Sequence, residues 1–202
     1  MQKKILKFIS ENKLILFFIF CTLLGLWASA GLMIDQVNLL SNKSQFIECS
    51  INPLFSCTKV MNTKYASLFG FPNPILGLIG YTAMATFGLF LLTEKKLPKP
   101  YMYIALLLSF GAFAFSYFLI LISVFKINTL CPLCLISAFS ATNIFAIILY
   151  INFHHQHLSQ RISSNSFAIK LFSSNIYLML VLSWFVLVFL ALYVKYPNIL
   201  VF

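Results

Sequence analysis

The chain has 202 residues, of which 61% are hydrophobic and 9% charged. Soluble domains carry about 25% charged residues, so 14 basic and 4 acidic side chains cannot wet a globular surface of this size. The net charge of +10 is scattered between apolar runs rather than gathered in a patch, which argues against nucleic-acid binding and fits membrane topology signals.

Lys3, Lys4, Lys7 and Lys13 precede a first run, Leu14 to Ile34, of 21 uncharged residues. Ala28-Ser29-Ala30 resembles a signal-peptide cleavage site, but the run exceeds the ~7–15 residues of a signal core. It is read as a membrane helix, and cleavage would leave the loops on the same side. Cys21 inside it is read as a small buried hydrophobe. Trp27, and Trp184 in the last run, are read as packing residues. A long loop from Asp35 to Asn73 follows. The second helix is predicted from Pro74, tolerated in a first turn, to Thr93. The third run spans Tyr101 to Phe125. The fourth is uncharged from Ile127 to Phe153, its helix opening near Cys131. The fifth spans Leu171 to Val194. Each reaches the ~20 residues that cross a bilayer. The runs are apolar all round, so helices rather than barrel strands are predicted. The fold class is all-α integral membrane. Residues 1–158 form one four-helix domain with an outer loop at 36–73, and residues 159–202 supply a cytoplasmic loop and the fifth helix.

Basic residues set the orientation. Nine fall on the side of the N-terminus and the loops around Lys95–Lys99 and Arg161–Lys170, against five on the other. The richer side is assigned to the cytoplasm. Both the long loop and the short loop around Lys126–Leu130 then face outward.

Four of the five cysteines fall on that outer side. Cys49 and Cys57 lie in the long loop. Cys131 and Cys134 form Cys-Pro-Leu-Cys at the start of the fourth helix. A helix N-terminus offers unpaired N–H groups and partial positive charge, which favour a thiolate. Pro132 suits the first helical position, and Lys126 is close in sequence. Disulfides persist in oxidising compartments such as the bacterial periplasm. A thiol–disulfide redox enzyme is one reading. Zinc is another, although the spacing of Cys49 and Cys57 is wider than the usual ~2–4 residues. Structural disulfides are a third, although a Cys-x-x-Cys bridge constrains little chain. A non-enzymatic membrane subunit or a transporter with structural disulfides is the functional alternative. The apolar runs carry no Asp, Glu, Lys or Arg, which usually mark ion pathways. His154, His155 and His157 lack cysteine or acid partners and are read as a solvated helix end, with no metal.

Cys49-(x7)-Cys57, Ser56-Cys57-Thr58-Lys59-Val60-Met61-Asn62-Thr63, Phe69-Gly70-Phe71-Pro72-Asn73-Pro74-Ile75-Leu76-Gly77 and Cys131-Pro132-Leu133-Cys134 together resemble the bacterial branch of the vitamin K epoxide reductase family, over roughly residues 15–150. The order of the pairs, wide first and Cys-x-x-Cys second, carries much of that likeness. The resemblance implies a four-helix bundle around a quinone pocket (ubiquinone, menaquinone or a vitamin K-like quinone), here joined by a fifth transmembrane helix. It implies an active-site pair, Cys131 and Cys134, with Cys134 beside the quinone. Cys49 and Cys57 match the shuttle pair, Asn73 a residue that hydrogen-bonds the quinone carbonyl, and Thr63 a Ser/Thr that supports the active-site thiol. Asn73 before Pro74 also reads as an ordinary helix N-cap, and Thr63 as a plain loop hydroxyl. Ala138 stands where some animal members have a pocket Tyr, which disfavours epoxide reduction and favours a simple quinone. Many bacterial members continue into a thioredoxin-like domain. This chain ends at Phe202, eight residues after Val194, so the expected partner is a separate periplasmic thioredoxin-fold protein of DsbA-like kind. The expected location is the bacterial inner membrane.

Overall fold

A computed structural model describes residues 12–41, 56–93 and 98–154. Its elements, in chain order, are α1 (Lys13–Leu40), a short α2 (Cys57–Met61), a 3-10 turn (Lys64–Ser67), α3 (Pro74–Thr93), α4 (Lys99–Ile122), a π-helical turn (Ser123–Ile127) and α5 (Pro132–His154). The four long helices are each long and apolar enough to cross a membrane. The predicted fifth helix, Cys49, His155 and His157 lie outside the described residues.

The bounds of α3 are those predicted from Pro74 and Thr93. α1 differs. It continues past Ile34 to Leu40 and carries Asp35 and Gln36, both buried, within its last turns. The outer loop therefore begins about one and a half turns later than the first charge suggests.

α1 and α5 form the centre of the bundle. α3 packs along α1, and α4 packs along α5, while α3 and α4 barely touch. The main core joins Phe18 and Cys21 of α1, Tyr81 and Met84 of α3, Ala105 of α4, and Ile144, Ile147 and Ile148 of α5. Cys21 is fully buried there, as a small hydrophobe. Close approach of α3 to α1 requires glycine. A Cβ on Gly88 would meet Phe18 and Ile19 at 2.9 Å, and one on Gly25 would meet the Tyr81 ring at 2.5 Å. Trp27 is not a packing residue of the bundle. It is 61% exposed, together with Phe20, Leu23, Leu107 and Leu108. An outward shell of large apolar side chains is the surface a lipid-facing bundle presents. Several hydroxyls within the spans bond back to their own helix, as Thr82 does to the Leu78 carbonyl at 2.7 Å and Thr86 to that of Thr82 at 2.9 Å, which lowers the cost of placing them in lipid.

Candidate redox site

The site is built where two distant stretches of backbone meet. The Ser56 N–H donates to the Leu130 carbonyl at 2.9 Å. That rung sets the next residue of each stretch, Cys57 and Cys131, side by side. Ser56 also starts α2. Its backbone is extended, and its hydroxyl accepts from the Lys59 N–H at 3.5 Å in the manner of an N-cap.

The other stretch is shaped by an irregular helix end. α4 widens into the π turn, and Asn128 then takes the left-handed conformation with φ 56°. The Thr129 N–H closes back onto the Ser123 carbonyl at 3.2 Å. Asn is among the few non-glycine residues that tolerate this region. π turns recur at functional sites. Here the turn reverses the chain within three residues and delivers Leu130 and Cys131 to the rung.

Cys131 then caps α5. The Cys134 N–H donates to Cys131 Sγ at 3.2 Å, so a sulfur occupies the place usually taken by a Ser or Asp oxygen. The Leu135 N–H donates to the Cys131 carbonyl at 3.0 Å, and Pro132 fills the first helical position without needing a partner for its missing N–H. The sequence argument for a helix N-terminus behind the Cys-x-x-Cys pair is thus realised at Cys131.

Cys57 Sγ lies 3.0 Å from Cys131 Sγ. Cys57 is in a disulfide, whereas Cys131 and Cys134 are free thiols. A disulfide sulfur carries no proton, so the Cys131 S–H is the donor. Cys57 and Cys131 are almost wholly buried, enclosed with Leu32 by Val60, Met61, Leu133 and Cys134. Chemically, this is a thiol held against a disulfide, at a helix N-terminus, in a dry enclosure.

Thr63 contributes to the loop. Its hydroxyl donates to the Val60 carbonyl at 2.7 Å, and Val60 in turn packs on the cysteine cluster. Asn73 helps shape the same loop. Its carboxamide donates to the Tyr65 carbonyl at 2.7 Å and accepts from the Leu68 N–H at 3.2 Å, while its backbone N–H reaches the Ala66 carbonyl at 2.9 Å. The side chain therefore points back into the loop and does not cap α3. One amide proton is left for another acceptor. Ala138 is buried with Ile120, Val124, Leu130 and Leu135, an apolar wall one turn beyond Cys134.

Several residues of the site carry no role in the sequence reading. Ser56 and Leu130 form the rung, and Asn128 is the one described non-glycine residue with positive φ. Asp35 and Gln36 are buried one turn beyond Leu32. Asn128 had a sequence signal, because Asn between a helical run and an extended residue favours a left-handed turn. The rung had none.

Fold and site define a multi-pass α-helical membrane protein with a buried thiol set against a disulfide sulfur at one end. The model of the Vitamin K epoxide reductase family matches residues 16–149, so the chain belongs to that family. Its members are membrane redox enzymes that link thiol–disulfide exchange to quinones. A comparison with curated proteins finds no match.

Proposed function

We propose that this protein reoxidises a separate thioredoxin-fold protein of DsbA-like kind on the outer side of the bacterial inner membrane and passes the electrons to a membrane quinone. The observation that carries this reading is the 3.0 Å separation of Cys57 Sγ and Cys131 Sγ, with one sulfur oxidised and the other reduced. The nine-to-five distribution of basic residues supports the orientation.

The electron path has balanced steps. A thiolate of the reduced partner attacks Cys49 of a Cys49–Cys57 disulfide. The partner's second thiol resolves the mixed disulfide, and the partner leaves oxidised. Exchange of this kind always runs through such a mixed disulfide. The Cys57 thiolate then attacks Cys131 of a Cys131–Cys134 disulfide, and Cys134 is released as a thiolate. Cys49 attacks Cys57, which restores the first disulfide and frees Cys131. Two electrons now sit on Cys131 and Cys134, and the free thiols of both support this assignment. Their disulfide re-forms as the electrons leave.

A bound quinone supplies the acceptor for two electrons and two protons. The residues present fit such a group. The apolar cluster of Ile120, Val124, Leu130, Leu135 and Ala138 lies beside the first turn of α5 and suits a flat apolar ring. Asn73 retains one amide proton for a carbonyl oxygen. Ala138 offers no hydroxyl, in keeping with a simple quinone rather than an epoxide.

The test is quinone reduction by the purified full-length protein in lipid nanodiscs, with a reduced thioredoxin-fold donor. Wild type should turn over, and Cys134→Ser should be inactive. Undiminished activity of that variant would sink the scheme.

A further inference from the structure

Tyr81 is a buried tyrosine of α3 whose hydroxyl crosses the bundle to α5. It donates to the Ser137 carbonyl at 2.6 Å and lies 2.9 Å from Ser137 Oγ. Each group has one proton, so the Ser137 hydroxyl donates to the Tyr81 oxygen and the Tyr81 hydroxyl to the Ser137 carbonyl. Both are then satisfied. The ring is held in a slot that glycine creates. A Cβ at Gly25 of α1 would stand 2.5 Å from Tyr81 Cε1. One at Gly77 of α3 would run into the Ser29 side chain and reach Tyr81 Cε2 at 3.7 Å. Three helices therefore converge on one side chain.

The place where it acts is the point of interest. Ser137 follows Cys134 by three residues, so it lies on the same face of α5, one turn further in. The first turn of α5 holds Cys131 as cap and Cys134 as the residue whose N–H it receives. Closing a disulfide between them requires Cα atoms roughly 4.4–6.8 Å apart, a range that a regular helical turn meets. An anchor one turn below keeps that turn regular while the sulfurs gain and lose their bond.

We propose that Tyr81 is a positioning residue for the Cys131–Cys134 pair, fixing the first turn of α5 through Ser137 so that the two sulfurs stay preorganised for disulfide closure. The proposal deepens the redox reading above and needs from it only that this pair cycles between dithiol and disulfide. Removing the anchor gives the dithiol more freedom to lose on closure, so the equilibrium moves toward the dithiol.

The experiment measures both cysteine pairs against glutathione, by alkylation and mass spectrometry, in full-length protein in quinone-free nanodiscs. Tyr81→Phe keeps the ring in its slot and removes only the hydroxyl. It should shift the Cys131–Cys134 equilibrium toward the dithiol about fivefold, the effect of one lost hydrogen bond. The Cys49–Cys57 pair should stay as in wild type. Ser137→Ala should shift it in the same direction by about threefold, and the double variant should go no further than Tyr81→Phe alone. A shift below about 1.5-fold in either single variant overturns the proposal, that span being within the spread of weak hydrogen bonds. So do parallel shifts of both pairs with a lowered thermal midpoint, which would make Tyr81 a general support of the bundle. Should wild type reduce no quinone, the proposed function falls while these equilibria still decide the role of Tyr81.

Discussion

Ser56 and Leu130, 74 positions apart in sequence, share one backbone hydrogen bond of 2.9 Å, and that bond sets Cys57 against Cys131. A rung between two loops fixes register only if both loops are already shaped. α2 shapes one through the Ser56 cap, and the π turn with Asn128 shapes the other. The sulfur contact of 3.0 Å is the result.

The contact predicts a trap. In Cys134→Ala, Cys131 loses the partner with which it would re-form its own disulfide, yet remains against Cys57. The Cys131 thiolate should then attack Cys57 of the Cys49–Cys57 disulfide and release Cys49 as a thiolate, and a Cys57–Cys131 disulfide should accumulate. Non-reducing peptide mapping of the purified variant reads it directly. Absence of that linked peptide after equilibration would show that the two sulfurs do not exchange.

Asn128 gives a second prediction. Its φ of 56° lies in the left-handed region, where a β-branched side chain costs roughly 1–2 kcal/mol and glycine costs nothing sterically. Asn128→Val should therefore slow transfer from Cys57 to Cys131 and lower the thermal midpoint. Asn128→Gly should keep both near wild type. Equal behaviour of the two variants would mean that the turn is held by something other than its backbone conformation.

How much of this was legible in the sequence depends on the distance over which each feature is decided. Pro74 and Thr93 marked the ends of α3 because a helix start and a charged boundary are local signals. α1 overshot its predicted end because a charged residue does not by itself stop a helix, and Asp35 and Gln36 are carried within its last turns. Trp27 was misread because a helix apolar on every side carries no record of which face meets lipid. The two cysteine pairs were legible by spacing. Their adjacency was not, since it rests on a rung between residues 74 apart. Asn73 was placed by the family resemblance, but a motif gives a position and not the direction of a side chain.

Glycine spacing yields a third prediction, independent of the redox chemistry. Gly25→Ala would force a Cβ to within 2.5 Å of the Tyr81 ring, whereas a Cβ at Gly111 meets nothing within 4 Å. Overpacking of a tight contact costs about 1–3 kcal/mol. Replacing an open helical glycine by alanine stabilises by about 0.4–1 kcal/mol. Thermal unfolding in one detergent should therefore separate the two variants in opposite directions from wild type. A Gly25→Ala protein as stable as wild type would show that α1 and α3 can part without cost.

Asn73 gives the last prediction, and it separates two roles for one side chain. As a staple, it ties the loop by bonds to Tyr65 and Leu68, each worth about 0.5–1.5 kcal/mol net. As a quinone ligand, it would use its one remaining amide proton. Asn73→Ala removes both. Asn73→Asp keeps the acceptor for Leu68 but sets an oxygen against the Tyr65 carbonyl, so it should loosen the loop at least as much as alanine. If stapling is the main role, both variants should be cut faster by trypsin at Lys59 and Lys64 and should slow exchange between Cys57 and Cys131 in quinone-free protein. A raised KM for quinone with unchanged proteolysis and exchange would instead make the free amide proton the part that matters, leaving the loop to be held by its backbone bonds.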